Sequence, residues 1–189
     1  MLQIIIQGRG GQGAQTAGNL LAAAWFAAGW QVQCFASYGG ARRGTPVSST
    51  LRVDQRPVRL RCDVERADAI LCFDASLLAG PLSRTADERT LVFVNSSRPA
   101  AHFADDLPGR RVLPLDALAI ARRHGLDRIV NSALIGGFAR ALAGAGAPGL
   151  DVLEACLGDA GKGRTAQNIA ACRDGWRAID AALQPEVRE

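Results

Sequence analysis

Leu2-Gln3-Ile4-Ile5-Ile6-Gln7, followed by Gly8-Arg9-Gly10-Gly11-Gln12-Gly13, decides the fold class of this chain. The first half is short, apolar and β-branched, the composition of a buried strand, and Gly8 closes it. The second half is a glycine-rich turn. From about Gln12 to Gly29 the residues are small or apolar on most faces and read as a helix, with Gly29 as its C-terminal stop. Gln31–Ala36 reads as a second strand. Strand, glycine turn, helix and strand form the opening of an α/β domain.

The same alternation continues outward. Val47–Val53, Ala69–Phe73, Thr90–Asn95 and Arg111–Leu115 read as strands. Asp116–His124, Asn131–Ala143, Leu150–Leu157 and a last long helix within Gly163–Leu183 read as helices, the last ended by Pro185. Ser83–Arg89 and Ser96–Arg110 are polar and proline-bearing, and read as surface loops. The expected fold is a single α/β domain over residues 1–189, a mainly parallel sheet with helices on both faces in a Rossmann-like three-layer arrangement. Ligands of such sheets sit beyond the strand carboxyl ends, here the ends marked by Gly8, Tyr38 and Asp74.

Composition bounds the function. The chain has 189 residues, 48% of them apolar, enough for one sizeable core. Its net charge of +4 is unevenly spread. The first acidic residue is Asp54, and Arg42 to Arg66 holds seven arginines against Asp54, Asp63 and Glu65. A local positive field favours an anionic ligand or an acidic partner surface. Nucleic acid is disfavoured, because no aromatic platform, zinc finger or helix-turn-helix pattern accompanies the charge. Cys34, Cys62, Cys72, Cys156 and Cys172 are dispersed, so neither an iron–sulfur cluster nor a structural zinc site is expected. Dispersed thiols, no secretory leader pattern and no apolar run near the roughly 20 residues needed to span a bilayer point to a cytoplasmic protein without a membrane association.

Two loops carry the chemistry. Gly8, Gly10 and Gly13 satisfy a GxGxxG spacing, in which glycines let backbone N–H groups approach an anion at a helix N-terminus. Ordinary NAD binding needs an acidic residue at the end of the second strand, and none precedes Asp54. A Walker-type phosphate loop also fails, because no Gly-Lys-Ser/Thr follows. The competing structural reading is a tight strand-to-helix turn with close helix packing. The second loop is Tyr38-Gly39-Gly40-Ala41-Arg42-Arg43-Gly44-Thr45-Pro46, whose paired arginines suit phosphate or carboxylate groups.

Gly8–Gly13 continuing through Ala14-Gln15-Thr16-Ala17-Gly18-Asn19-Leu20-Leu21-Ala22, then Tyr38-Gly39 to Arg42-Arg43-Gly44, resembles the γ subunit or γ domain of the pyruvate:ferredoxin (2-oxoacid:acceptor) oxidoreductase superfamily. Asn131-Ser132-Ala133-Leu134-Ile135-Gly136 and Asn168-Ile169-Ala170-Ala171-Cys172-Arg173-Asp174-Gly175-Trp176 resemble two later segments of that family. One place departs: Ala41 stands where the family often has glutamate. The resemblance implies a subunit of a complex that oxidatively decarboxylates a 2-oxoacid, with thiamine diphosphate and iron–sulfur clusters in α, β and δ-type partner subunits. Ferredoxin or an NAD-linked flavoprotein subunit would accept the electrons. It further implies that this chain supplies no catalytic residue or metal ligand, helps bind coenzyme A and covers the active site. Gly8, Arg9, Gly10, Gly11, Gln12, Gly13, Tyr38, Arg42, Arg43 and Asn131 would be its cofactor-facing residues. A free-standing nucleotide- or coenzyme-A-binding domain, and an assembly scaffold that binds no ligand, are the alternatives.

Other residues read more simply. Asp74 suits a cap on the following turn through Ser76 and Leu77, Asn131 a helix N-cap, and Asn168 an internal backbone bond. His124 suits a helix end, and Trp25, Trp30 and Trp176 suit core or interface positions.

Overall fold

The computed structural model describes residues 1–37, 44–80, 84–160 and 163–184. Among them the chain runs β1 (Leu2–Arg9), α1 (Ala14–Ala27), β2 (Gln31–Ser37), β3 (Pro46–Asp54), β4 (Ala69–Cys72), β5 (Leu91–Asn95), β6 (Arg111–Leu115), α2 (Ala117–Arg123), α3 (Asn131–Ala141), α4 (Leu150–Asp159) and α5 (Thr165–Leu183). The strands form one sheet in the order β2-β3-β1-β4-β5-β6. β1, β4, β5 and β6 are successive parallel neighbours. β3 runs antiparallel to both β1 and β2. The mainly parallel α/β architecture is the expected one, with an insertion that local pattern does not announce: β3 wedges between β1 and β2, leaving β2 at the edge.

β1 is central because its isoleucines serve both faces. Ile4 and Ile6 join the core beneath the helices, and Ile5 joins the core on the opposite face. The strand runs past Gln7 to Arg9, because Gly8 and Arg9 still pair with Val47 and Pro46 of β3. The α-helices of the described residues pack on one face, where Ile4, Ile6, Leu71 and Phe93 meet Leu21, Trp25, Leu134 and Phe138. Burial of each such side chain stabilises by about 1.5–3 kcal/mol. The other face, where the sequence pattern also leads one to expect helices, has a thinner cover of loops and short 3-10 turns among the described residues. The reason is that the β4–β5 and β5–β6 connections carry no apolar period long enough to form an α-helix. Val64, Ala86, Leu107 and the short 3-10 turns Ala75–Leu77 and Ala100–Phe103 close it over Ile70, Val92 and Val94. Ser96–Arg110, expected as surface loop, therefore contributes Phe103 and Leu107 to a core.

The helical layer turns on the contact between α3 and α5. A methyl group on Gly136 would overlap the carbonyl of Cys172, and one on Gly175 would overlap the carbonyl of Ala133. Each helix thus gives up a side chain where the other's backbone passes. Ser132 Oγ donates to Asn168 Oδ1 at 2.8 Å, and Asn168 Nδ2 donates to the Arg164 carbonyl at 3.1 Å. Arg140 and Asp180 add an ion pair at 2.6 Å. The two asparagine segments of the sequence are in large part this seam. Trp25 and Trp30 pack edge to face with ring centroids 5.3 Å apart. Among the described residues, no helix is long and apolar enough to cross a membrane.

Candidate functional site: a basic cleft at the strand carboxyl ends

The chain leaves β1 toward β2 on one side and later returns to β4 on the other. That reversal opens a crevice at the carboxyl ends of β1 and β4, the place where open α/β sheets take ligands. The glycine turn sits there. Arg9 N donates to Gln12 Oε1 at 2.7 Å, and Gln12 N donates to the Arg9 carbonyl at 2.9 Å, so the turn closes on itself. Gly11 and Gly13 adopt φ of +94° and +91°, the left-handed region that glycine enters without strain. That geometry delays the start of α1 to Ala14, two residues after the expected Gln12.

The base of the second loop lies against the first. Gly10 N donates to the Thr45 carbonyl at 2.8 Å, and Gly44 N donates to the Gly10 carbonyl at 3.2 Å. Tyr38, Arg42 and Arg43 lie outside the described residues.

Asp74 fastens the turn from the β4 side. It accepts from Arg9 Nε at 2.9 Å, Gln12 Nε2 at 3.2 Å, and the Ser76 hydroxyl and backbone N–H at 2.6 and 3.1 Å. Burial works to raise its pKa, but the bonds from Ser76, Gln12 and Arg9 outweigh it and hold the carboxyl below its ordinary value. The Arg9 guanidinium is fully engaged, since it also donates to the Gly44 carbonyl at 3.2 Å and Ser76 Oγ at 2.8 Å.

The crevice has a volume of about 1120 Å³. Gly10 to Thr16, Ser37, Phe73, Asn95, Arg122 and Arg128 are among its walls. Gly13 caps α1 with no side-chain bond among the described residues, and the first turn of α1 holds no acidic side chain. The uncapped N–H groups and the positive end of the helix dipole therefore meet the crevice. Asn131 Nδ2 donates to the Gly13 carbonyl at 3.3 Å, while its buried Oδ1 has no partner among the described residues. Asn131 is the first residue of α3 rather than its N-cap, which is Val130.

Of the residues singled out in the sequence, Gly10, Gly11, Gln12 and Gly13 line the crevice and Asn131 supports it from behind. Gly8 packs against Phe73 and Ala14, and Arg9 is turned to Asp74. Arg122 and Arg128 are the residues that sequence reasoning missed. Neither has an ion-pair partner among the described residues. The adjacent Arg123 and His124 both bond Asp174, at 3.3 and 2.9 Å. The run Arg122-Arg123-His124 was a visible signal, but the turn of α2 decides which of the three faces the crevice. Burial pushes the Cys72 thiol up to about 12, consistent with a packed rather than reactive thiol.

A mainly parallel α/β sheet with a glycine turn, an uncapped helix and two arginines at its switch point that have no ion partner among the described residues defines the class of protein. The family model described as Pyruvate ferredoxin/flavodoxin oxidoreductase matches residues 3–178, and the chain belongs to that family. The pyruvate/ketoisovalerate oxidoreductases common subunit gamma of Pyrococcus furiosus is 31% identical over 180 residues, covering 93% of this chain and 96% of that one. The crystal structure of pyruvate oxidoreductase subunit PORC from Thermotoga maritima superposes with a TM-score of 0.81 at 26% identity, covering 93% of this chain and 95% of that one. The 2-oxoglutarate:ferredoxin oxidoreductase of Magnetococcus marinus, determined with 2-oxoglutarate, coenzyme A and succinyl-CoA bound, shares the fold with a TM-score of 0.73 at 21% identity, covering 97% of this chain and 31% of that one.

Proposed function

We propose that this chain, a γ-type subunit of a 2-oxoacid:ferredoxin oxidoreductase complex, presents its basic crevice to the phosphate groups of coenzyme A. One observation carries the reading: Arg122 and Arg128, both without an ion partner among the described residues, line the same crevice as the uncapped N-terminus of α1. Two guanidiniums and a row of backbone N–H groups match a diphosphate in charge and hydrogen-bonding sense. The crevice is at the upper end of the size range of small-molecule sites, which suits a long ligand. A solved assembly that shares the fold carries coenzyme A, which supports the choice of ligand.

Coenzyme A, when bound, supplies the thiol that takes up the acyl group left by decarboxylation. This chain's residues bind and orient it. Gly10, Gly11 and Gly13 allow close backbone approach, Gln12 holds the turn in shape, and Arg122 and Arg128 neutralise phosphate. Arg42 and Arg43 add charge from the second loop. Arg9 and Gly8 act by fixing the turn through Asp74 and Phe73. Thiamine diphosphate and the iron–sulfur clusters belong to α, β and δ-type partners, and ferredoxin or an NAD-linked flavoprotein subunit takes the electrons.

The test is Arg122→Ala with Arg128→Ala in the assembled complex. The Kd of coenzyme A, measured by calorimetry, should rise about tenfold or more, the scale of lost charge-assisted bonds. The KM for the 2-oxoacid should not move. An unchanged coenzyme A affinity would remove the crevice from consideration.

A further inference from the structure

The face of the sheet away from the helices is incompletely covered at its β2 edge. Phe35 and Gln33 of β2 alternate onto that face with Thr50 and Arg52 of β3, to which they are paired. Phe35 is 47% exposed, an unusual placing for a phenylalanine in the sheet. A second cavity of about 280 Å³ opens beside it, walled by Phe35, Thr50, Arg52, Arg61, Cys62 and one carboxylate, Asp63, which forms no ion pair with either arginine among the described residues.

Arg52 is the unusual member. It is only 1% exposed, and its guanidinium donates to Gln3 Oε1 at 3.1 Å, Gln33 Oε1 at 3.2 Å and the Cys62 carbonyl at 2.5 Å. All three acceptors are neutral, and no carboxylate pairs with it among the described residues. A buried cation without a counter-charge is costly, and an anionic group placed over it is correspondingly favoured. The connector between β3 and β4, which Arg52 pins through Cys62, adds to the same field. From Arg56 to Arg66 it exposes Arg56, Arg59, Arg61 and Arg66 against Asp63 and Glu65, a net positive balance. Arg56, Arg59 and Arg61 form no ion pair among the described residues, and Leu60 lies exposed among them.

We infer that this face docks an acidic segment of another subunit of the complex. A carboxylate would settle over the cavity between Arg52 and Arg61, and an apolar neighbour would cover Phe35 and Leu60. The choice of occupant follows from the balance of charge: among the described residues Arg52, Arg56, Arg59 and Arg61, none in an ion pair, outnumber Asp63 around an apolar patch, an arrangement that selects an acidic and apolar partner. The inference takes from the functional reading only that the chain is a subunit. It does not depend on coenzyme A.

Arg59→Glu with Arg61→Glu tests it, because both side chains are exposed and their reversal leaves the core untouched. Arg111→Glu, on the strand at the far edge of the sheet, is the control. Each variant is coexpressed with the other subunits, and association is measured by light scattering and by titration of the purified chain into the remaining complex. The double reversal should raise the Kd of association at least tenfold and flatten its salt dependence, with circular dichroism unchanged. Phe35→Ser should weaken association without altering the salt dependence, and Arg111→Glu should do neither. Wild-type association of the double reversal overturns the inference. So does a wild-type chain that self-associates through this face, because the occupant would then be a second copy. Coenzyme A affinity of whatever complex forms is read separately, and its value bears on the crevice alone.

Discussion

The crevice and the α3–α5 seam both depend on glycine, for opposite reasons. At the crevice, Gly11 and Gly13 both hold left-handed backbone angles. A methyl group on Gly13 would also overlap the Asn131 amide, whereas one on Gly11 would meet nothing within 4 Å, so Gly11 is the purely conformational case. At the seam, Gly136 and Gly175 have ordinary helical backbones, and the missing methyl is what lets the helices touch. α3 joins the two regions, with Asn131 behind the glycine turn and Gly136 in the seam. A glycine in a motif therefore says little until its surroundings show whether conformation or volume is at stake. Substitution can separate the two kinds.

The largest effect is expected at the seam. Gly136→Ala drives a methyl into the carbonyl of Cys172, backbone that cannot rotate aside. Overpacking of this sort costs about 3 kcal/mol or more when the obstacle is rigid. Urea unfolding of the purified chain should show that loss as a lower midpoint at unchanged slope. A neutral result would mean that α5 slides freely on α3, and the distinction between volume and conformation would fail at its clearest position.

The next effect is expected at Asp74, which holds the glycine turn without lining the crevice. Asp74→Asn weakens charge-assisted bonds from Arg9 and Ser76, and a loss of about 2 kcal/mol is expected for a partly exposed network. The effect has a pH signature. The folded-state pKa of Asp74 is depressed, so its contribution is complete above the unfolded carboxyl value near 3.8 and is lost as pH falls through the lower folded value. The stability gap between wild type and Asp74→Asn should thus be constant at neutral pH and close in strong acid. A gap that instead widens on acidification would show that burial dominates and that the network is not what holds the turn.

Much of this was legible in the sequence, and the parts that were not share a physical cause. The turn at Gly8–Gly13 and the capping role of Asp74 are local, written in residues a few positions apart. Asn168 as an internal backbone partner was local too. The insertion of β3 between β1 and β2 is not local, because a strand's alternation is the same in a parallel or antiparallel ladder. Arg122 and Arg128 reach the crevice from more than 100 positions beyond the turn, and only the packing of α2 and α3 brings them there. Phe103 and Leu107 were hidden among polar residues, where single apolar side chains carry no period to detect. The asparagine segments were visible as motifs, but their meaning as a helix seam needed the backbone of the opposing helix.

The smallest effect is expected at Gly11, and it is the most discriminating. Its φ of +94° lies where an L side chain is strained, yet the space around it is open. Gly11→Ala should therefore cost only the conformational term, about 1 kcal/mol. In a chain of this size that is a fall in Tm of roughly 2–4 °C. The methyl would nonetheless stand in the wall of the crevice, beside the backbone that a phosphate must approach. Coenzyme A affinity of the assembled complex should then fall about threefold or more, a larger proportional change than the melting shift suggests. If stability falls as far as for Gly136→Ala, the turn is packed as tightly as the seam and the contrast collapses. If stability falls by the expected amount while affinity is untouched, Gly11 shapes the chain without facing the ligand, and the contact must be sought further along, at the N-terminus of α1.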